Sequence, residues 1–533
     1  MTWDLSADVV VVGYGAAGTS TALEAVAVGA DVLAIDRFNG GGATELSGGI
    51  VYAGGGTSVQ RAAGVEDSPE EMLAYLSREV GDAVSAESLR RFVDGSPAMI
   101  DWLIGHGVPF DSTLCPYKTS FPNNKYYLYY SGSELAGAFR SVAKPAPRGH
   151  RAHGKGTSGN KIYAALSKSA QAAGVRFQPH TRAVRLLTDD GRVVGVEATT
   201  LVKAPVKVRN LFARLARTSA KPGIYYPPLR TLLDKQMRKI ERRYGKTVRI
   251  RANSGVVVCA GGFIANREMV LEHAPAFSGG LALGTSGDDG SGIEMARAVG
   301  AATDRLGNVS VWRFLVPPSA FMGAILVDQF GSRVIDESRY GAAVGHALVA
   351  DHGGKGWLLI DADVAREARS QLPGQSQWFQ RMQTEGLFRF EASKGATVED
   401  AAVKAGIDPV GLRATVDAHN RAIELGAPDP VGKPDDFRRP LTAGPFSLLD
   451  VSIKQSVSNP CPMLTLGGVV VNEVTGAVKT ASGDEIPGLY AAGRTAVGIC
   501  SDSYVSGLSL ADCVFSGRRA GRAVAKGLIH AVE

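Results

Sequence analysis

A chain of 533 residues is too long for one ordinary domain, and its 45% apolar and 21% charged residues describe a globular protein with a sizeable core. Five scattered cysteines exclude a disulfide framework, and no apolar run reaches the roughly 18 residues that a membrane-spanning helix needs. The net charge of +6 is uneven: Val202–Ala252 holds 15 Lys and Arg against Asp234 and Glu241, +13 in all, which leaves −7 for the rest.

Ala7–Val12, ADVVVV, reads as a buried parallel strand. It runs into Gly13-Tyr14-Gly15-Ala16-Ala17-Gly18, then a helix to about Gly29 and a second strand, Asp31–Ile35, that ends at Asp36 and Arg37. Gly13 makes the tight turn, Gly15 lets backbone reach a pyrophosphate, and Gly18 lets helix pack on strand. The helix N-terminus at Ala16 and Ala17 offers N–H donors to phosphate, and Asp36 is placed to accept from ribose hydroxyls. A glycine turn without a ligand does not explain the acid. No charged segment followed by an apolar one precedes the first strand, so the expected location is cytoplasmic.

A glycine-rich loop follows, Gly40–Gly49, with Ala43, Thr44, Ser47, Gly48 and Gly49 as candidate cofactor contacts. A strand over Val193–Thr199 should pair with Gly255–Cys259, which ends in Ala260-Gly261-Gly262-Phe263. Between those strands Val208, Leu211, Phe212 and Leu215 recur at helical spacing, as do Leu229, Leu232, Leu233, Met237, Ile240 and Tyr244. Two short basic amphipathic helices joined at Pro222–Pro228 are therefore expected to project from the first domain. They would suit an anionic membrane surface, which would make the protein peripheral at the inner face of the membrane. Alternatively, their apolar stripe packs on its own domain. No nucleic-acid-binding motif accompanies the charge. The acids of Gly284–Met295 read as turn formers and caps. His106, His150, His153 and His352 show no metal-ligand spacing. Near the end of the chain, Ile486–Gly493 precedes Arg494 and a helix over Leu508–Val524 that begins with Ser509 and Leu510 inside it.

Taken together, the fingerprint, the loop before Gly49 and the C-terminal Ala491-Ala492-Gly493 resemble the succinate dehydrogenase/fumarate reductase flavoprotein family over nearly the whole chain. The resemblance implies FAD and an α/β fold: a Rossmann-type FAD-binding domain, 1–300 and 452–533, with an inserted α+β catalytic domain, 301–451. It also implies that Ala43–Gly49 runs along the ribityl and isoalloxazine, that Arg182–Val184 lies beside the adenine, and that Ser509 and Leu510 face the pyrimidine edge of the flavin. An acid is usual where this chain has Arg494, and members with covalent flavin use a His where this chain has Glu45-Leu46-Ser47. The FAD is therefore expected to be non-covalent.

Fumarate-reducing members grip two carboxylates with His and Arg. Ser501–Leu510 holds neither, so a dicarboxylate would lack its counter-charges. It offers Tyr504, Ser506 and a glycine N–H at Gly507, which suits a ketone: a phenol and a backbone N–H on the oxygen would stabilise an enolate. Gly41–Met72, Asn124–Glu134 and Ser503–Leu510 resemble the 3-ketosteroid dehydrogenases, and Tyr-x-Ser-Gly is similar to their Δ4-(5α) kind. That resemblance implies Tyr504 and Gly507 on the 3-keto oxygen, Ser506 in a proton path, and Tyr340, in the frame R-x-x-x-E-x-x-Y, as base. A phenol near pKa ~10 is a poor base in water, so Tyr340 needs a neighbouring positive charge or a relay through Ser506 and Tyr504. Of the run Tyr126, Tyr127, Tyr129 and Tyr130, Tyr127 and Tyr130 are the candidate substrate contacts. The implied function is FAD-dependent C4–C5 desaturation of 5α-3-ketosteroids, with an electron acceptor that the sequence does not name. Δ1-dehydrogenation is an alternative, and a non-catalytic, membrane-associated flavin-binding protein is one of another class.

Overall fold

The computed structural model describes residues 2–277, 279–454, 456 and 459–526. Its largest sheet runs, in order, Ala477–Lys479, Glu485–Ala491, Lys246–Val258, Leu5–Val12, Val32–Ile35 and Arg176–Gln178. The first strand pairs in parallel with Val32–Ile35 and Lys246–Val258, and its Val9, Val10 and Val11 are wholly buried. A strand covered on both faces has to be apolar throughout, which is why it reads as a run of valines with no alternation. The hairpin Thr181–Asp189/Arg192–Thr200 joins this sheet antiparallel to Lys246–Val258.

The chain's two ends meet helix to helix. Gly517 and Gly521 of Leu508–Lys526 lie on Ala16–Ala27, where a Cβ would come within 2.5 Å of the Ala17 carbonyl oxygen and 2.3 Å of that of Thr21. Thr21 Oγ1 donates to the Gly517 carbonyl at 3.0 Å, and Glu24 pairs with Arg522 at 2.6 Å. Backbone contact at this spacing brings Ser509 and Leu510 to the fingerprint despite 490 intervening residues.

A second, antiparallel sheet runs Ile325–Val327, Trp357–Ile360, Phe446–Asp450, Ala392–Gly395 and is backed by its own core, Leu315 to Val451. Ala301, Val309 and Val311 pack instead with Val10 and Val256 of the first sheet.

The basic insertion differs from expectation in two ways. Its helices, Val206–Tyr225 and Pro227–Tyr244, are long, and the first continues through Pro222, so that the link is Tyr226 alone. The centre of their stripe faces inward, with Phe212 and Met237 fully buried and Leu215 and Ile240 packed beside them, while Leu211 and Leu232 stay exposed. Phe38 stacks on Phe212, Arg37 pairs with Glu241 at 2.8 Å, Ser219 meets Ser286 at 2.8 Å, and Arg230 donates to the Gly284 carbonyl at 2.8 Å. The hairpin's apolar stripe thus packs on its own domain. Among the described residues, no helix is long and apolar enough to cross a membrane.

Candidate active site

One cavity of about 1310 Å³ runs from the fingerprint, past the loop Gly42–Gly49, to the second sheet's domain. Gly13, Gly15, Ala16 and Ala17 line one end. Gly13 has a φ of +95°, and a Cβ on Gly15 would come within 3.3 Å of Thr44 Oγ1. Gly18 is not in the wall; a Cβ there would strike the Gly13 carbonyl at 1.9 Å, so it serves the close packing of helix on strand. Thr44 Oγ1 accepts the Ala16 N–H at 3.0 Å and draws the second glycine loop onto the helix N-terminus. Asp36 lines the cavity while accepting from the N–H groups of Tyr14 at 2.9 Å and Phe38 at 2.8 Å, and burial pushes its carboxyl up despite those bonds. This cradle of bare backbone, donor-rich helix end and acid fits an adenine dinucleotide.

Further along, Arg37, Ala43, Ser47, Gly48, Gly49, Ala260, Gly261, Gly493, Arg494, Ser509 and Leu510 all border the cavity. Two candidates do not. Val184 points outward from its strand and is exposed, and its neighbour Ala183 takes the wall. Gly262 turns toward Thr465, whose Oγ1 a Cβ would meet at 2.2 Å. Arg494 is buried and pairs with Asp288, also in the wall, while its Nη1 has no hydrogen-bond partner among the described protein atoms. The acid missing after Gly493 is thus present across the cavity. Asp288 also accepts the Thr285 N–H at 2.8 Å, and Asp289 accepts that of Ser291 at 3.1 Å, so the acids of this loop form turns as expected and border the cavity as well.

The far end holds the phenols. Gly507, with a φ of +92°, turns the chain into Leu508–Lys526, and its carbonyl accepts the Tyr52 N–H at 3.1 Å. Gly507 and Tyr504 both line the cavity, and Tyr504 stacks on Trp312 with ring centroids 5.2 Å apart. Tyr340 caps the helix Gly341–His352, and its N–H donates to Ser133 Oγ at 3.1 Å. The frame before it is structural: Glu337 joins Arg333 at 3.0 Å and Lys433 at 2.9 Å, and Arg333 joins Asp429 at 2.9 Å, all buried. A buried, paired cluster of this kind fixes the loop that presents Tyr340.

Ser506 sits between three phenols. Its hydroxyl reaches Tyr340 and lies 3.2 Å from the hydroxyl of Tyr129. Burial raises the pKa of all three tyrosines, Tyr340, Tyr504 and Tyr129. Among the described residues, no cation bonds the Tyr340 hydroxyl; electrostatic help comes at one remove, from Arg494 on Tyr504 and from Arg151 on Tyr129. Tyr127 and Tyr130 do not line the cavity. Tyr127 stacks on His153 and donates to the Asn124 carbonyl at 3.0 Å, while the buried Tyr129 reaches Ser506 instead. Trp312, Phe314 and Leu315, and the helix Trp378–Phe390, complete the apolar wall; no sequence motif marks them.

Three comparisons bear on this geometry. The family described as FAD binding domain matches residues 8–504. The 3-oxo-5-alpha-steroid 4-dehydrogenase of Comamonas testosteroni is 39% identical over 510 residues, covering 92% of this chain and 93% of that protein. The solved 3-ketosteroid Δ4-(5α)-dehydrogenase of Rhodococcus jostii RHA1, in complex with 4-androstene-3,17-dione, aligns with a TM-score of 0.81 at 32% identity over 98% of each chain. A flavocytochrome c3 fumarate reductase in its open conformation shares the fold: TM-score 0.64, 24% identity, 100% of this chain and 79% of that one.

Proposed function

The chain belongs to the FAD binding domain family and, within it, to the 3-ketosteroid Δ4-(5α)-dehydrogenases, and we propose that it introduces the C4–C5 double bond into 5α-3-ketosteroids. The observation that carries this reading is that Tyr504 and Gly507 line one largely apolar cavity together with Tyr340, whose ring lies 6.2 Å from that of Tyr504. FAD, when bound, supplies the acceptor at N5 for the hydride from C5.

In our reading the Tyr504 O–H and Gly507 N–H both donate to the C3 oxygen, which stabilises the enolate and so acidifies the proton on C4. Burial keeps Tyr504 protonated, as a donor must be. Tyr340, as its phenolate, takes the C4 proton, and it is regenerated when Ser506 and then Tyr129 each give up their own hydroxyl proton as they receive one, the last proton leaving to solvent. The relay replaces the cation that Tyr340 lacks, and Tyr129 is its outer member in place of Tyr504. Trp312 and Phe314 wall the steroid and keep bulk water from the enolate.

Asp36 accepts from the adenosine ribose, Arg494 uses its free Nη1 on the cofactor chain, and Ser509 and Leu510 hold the pyrimidine edge. The FAD is held non-covalently. Among the described residues no histidine lines the cavity, and burial pushes the two thiols that do, Cys259 and Cys513, up to about 12, far from a nucleophilic thiolate. The protein is cytoplasmic and peripheral on the inner face of the membrane, with the basic hairpin 202–252 contributing charge. Anaerobic addition of a 5α-3-ketosteroid to the FAD-loaded protein tests the reading: the flavin absorbance bleaches, and an unchanged spectrum refutes turnover.

A further inference from the structure

The cavity's outer lip is built from large apolar side chains that solvent touches. Trp378, Met382 and Phe390 are 71%, 65% and 71% exposed, yet each also lines the cavity. They fall at i, i+4 and i+12 on the helix Trp378–Phe390, a single stripe along one side. Tyr225, 50% exposed at the end of the basic hairpin's first helix, lines the same cavity. A short bonded path joins the two elements. Lys221 Nζ donates to Thr157 Oγ1 at 2.7 Å, and Asn124 Oδ1 accepts both the Gly156 N–H and Gln377 Nε2 at 2.9 Å. Hairpin and helix are therefore parts of one rim. Exposed Lys155, Lys221, Arg381 and Arg389 surround it, with Glu385 as the acid on the helix.

Soluble surfaces rarely gather large apolar groups at one spot without a partner. We propose that this rim seats on an anionic phospholipid bilayer, with Trp378, Met382, Phe390 and Tyr225 entering the headgroup boundary and the basic residues facing the lipid charge. Aromatic side chains flanked by Lys and Arg match the chemistry of that boundary. A second copy of the chain fits worse, since a two-fold contact would set this basic rim against itself. The position of the rim at the cavity mouth lets an apolar substrate enter from lipid without crossing water. That consequence rests on the steroid reading, whereas the docking does not. It also moves the membrane face from the hairpin's amphipathic stripe, whose Phe212 and Met237 are buried, to the mouth.

The test uses the full, FAD-loaded chain without steroid, sedimented with phosphatidylcholine vesicles with and without phosphatidylglycerol. The chain pellets with the anionic vesicles, less so in high salt, and Trp378→Ser/Met382→Ser/Phe390→Ser lowers the partition coefficient at least tenfold. In the unaltered protein, brominated lipid quenches tryptophan fluorescence, a readout that needs no variant. Protein left in the supernatant, an unaffected triple variant or absent quenching overturns the proposal. So does a dimer that the triple variant dissociates. The assay reads no turnover, so its failure leaves the desaturation reading standing, and a failure to bleach leaves the docking standing.

Discussion

The rings of Tyr340 and Tyr504 lie 6.2 Å apart, centroid to centroid, with Ser506 and Gly507 beside them in the same cavity wall. Two phenols this close are given opposite tasks by their surroundings. Tyr504, kept protonated by burial, is set to give its proton to a third oxygen, whereas Tyr340, next to the Ser506 hydroxyl, is set to take one.

Replacing Tyr504 by Phe removes one of two donors while keeping the stack on Trp312. The reductive half-reaction slows by about 10²–10³, the usual effect of one lost oxyanion donor, with a small change in steroid affinity. Stopped-flow bleaching gives the rate and its saturation gives the affinity. A variant as fast as the parent would remove the assignment.

Tyr340 predicts a pH dependence. Its pKa is raised, so at neutral pH the base form is scarce and grows about tenfold per pH unit below the pKa. The rate of flavin reduction therefore climbs with pH through the neutral and mildly alkaline range. Tyr340→Phe abolishes the climb and costs about 10²–10⁴ in rate. Tyr129→Phe, at the outer end of the relay, costs less and changes the profile. A flat profile in the parent contradicts a tyrosine base.

Asp288→Asn leaves the Arg494 guanidinium buried without its counter-ion. A broken buried pair costs about 3–5 kcal/mol, which shows as a lower urea midpoint. FAD also elutes from the variant on gel filtration. Arg494→Met/Asp288→Leu, which removes both charges, recovers much of the midpoint but not the FAD.

His150 supplies a stability test. Its Nδ1–H donates to the Arg148 carbonyl at 3.0 Å and its Nε2 accepts from Thr57 at 2.8 Å, so the ring is neutral, and burial lowers its pKa to about 4. A depressed histidine takes up its proton on unfolding. Stability is then full above pH 6.5 and falls as the pH drops toward 4, by at most about 3 kcal/mol. Urea midpoints between pH 7 and 4.5 show that loss, and His150→Gln flattens it.

Much of this was legible because it is local. The fingerprint, Thr44, Ser509 and the Tyr504–Gly507 turn are short segments whose spacing dictates their geometry. Tyr340 was legible through Arg333 and Glu337, whose buried pair now explains the frame. What escaped depends on packing or distance. Tyr127 and Tyr129 share a strand phase, so nothing in the alternation said that Tyr129 would meet Ser506 while Tyr127 bonds the Asn124 carbonyl. Pro222 suggested a break, yet the helix runs through it at the loss of one N–H. The hairpin's stripe was visible, but nothing in its spacing said that Phe38 and Glu241's partner Arg37 would cover it. Asp288 and Arg494, 206 positions apart, and the rim at Trp378 have no sequence signature.

The position of the new double bond tests the central claim most directly. A 5α-3-ketosteroid turned over by the FAD-loaded protein, with its product resolved by proton and carbon NMR, yields the C4–C5 alkene. The C4 proton is lost to solvent and the C5 hydrogen is lost as hydride. A C1–C2 alkene, or recovery of unchanged steroid, would contradict it.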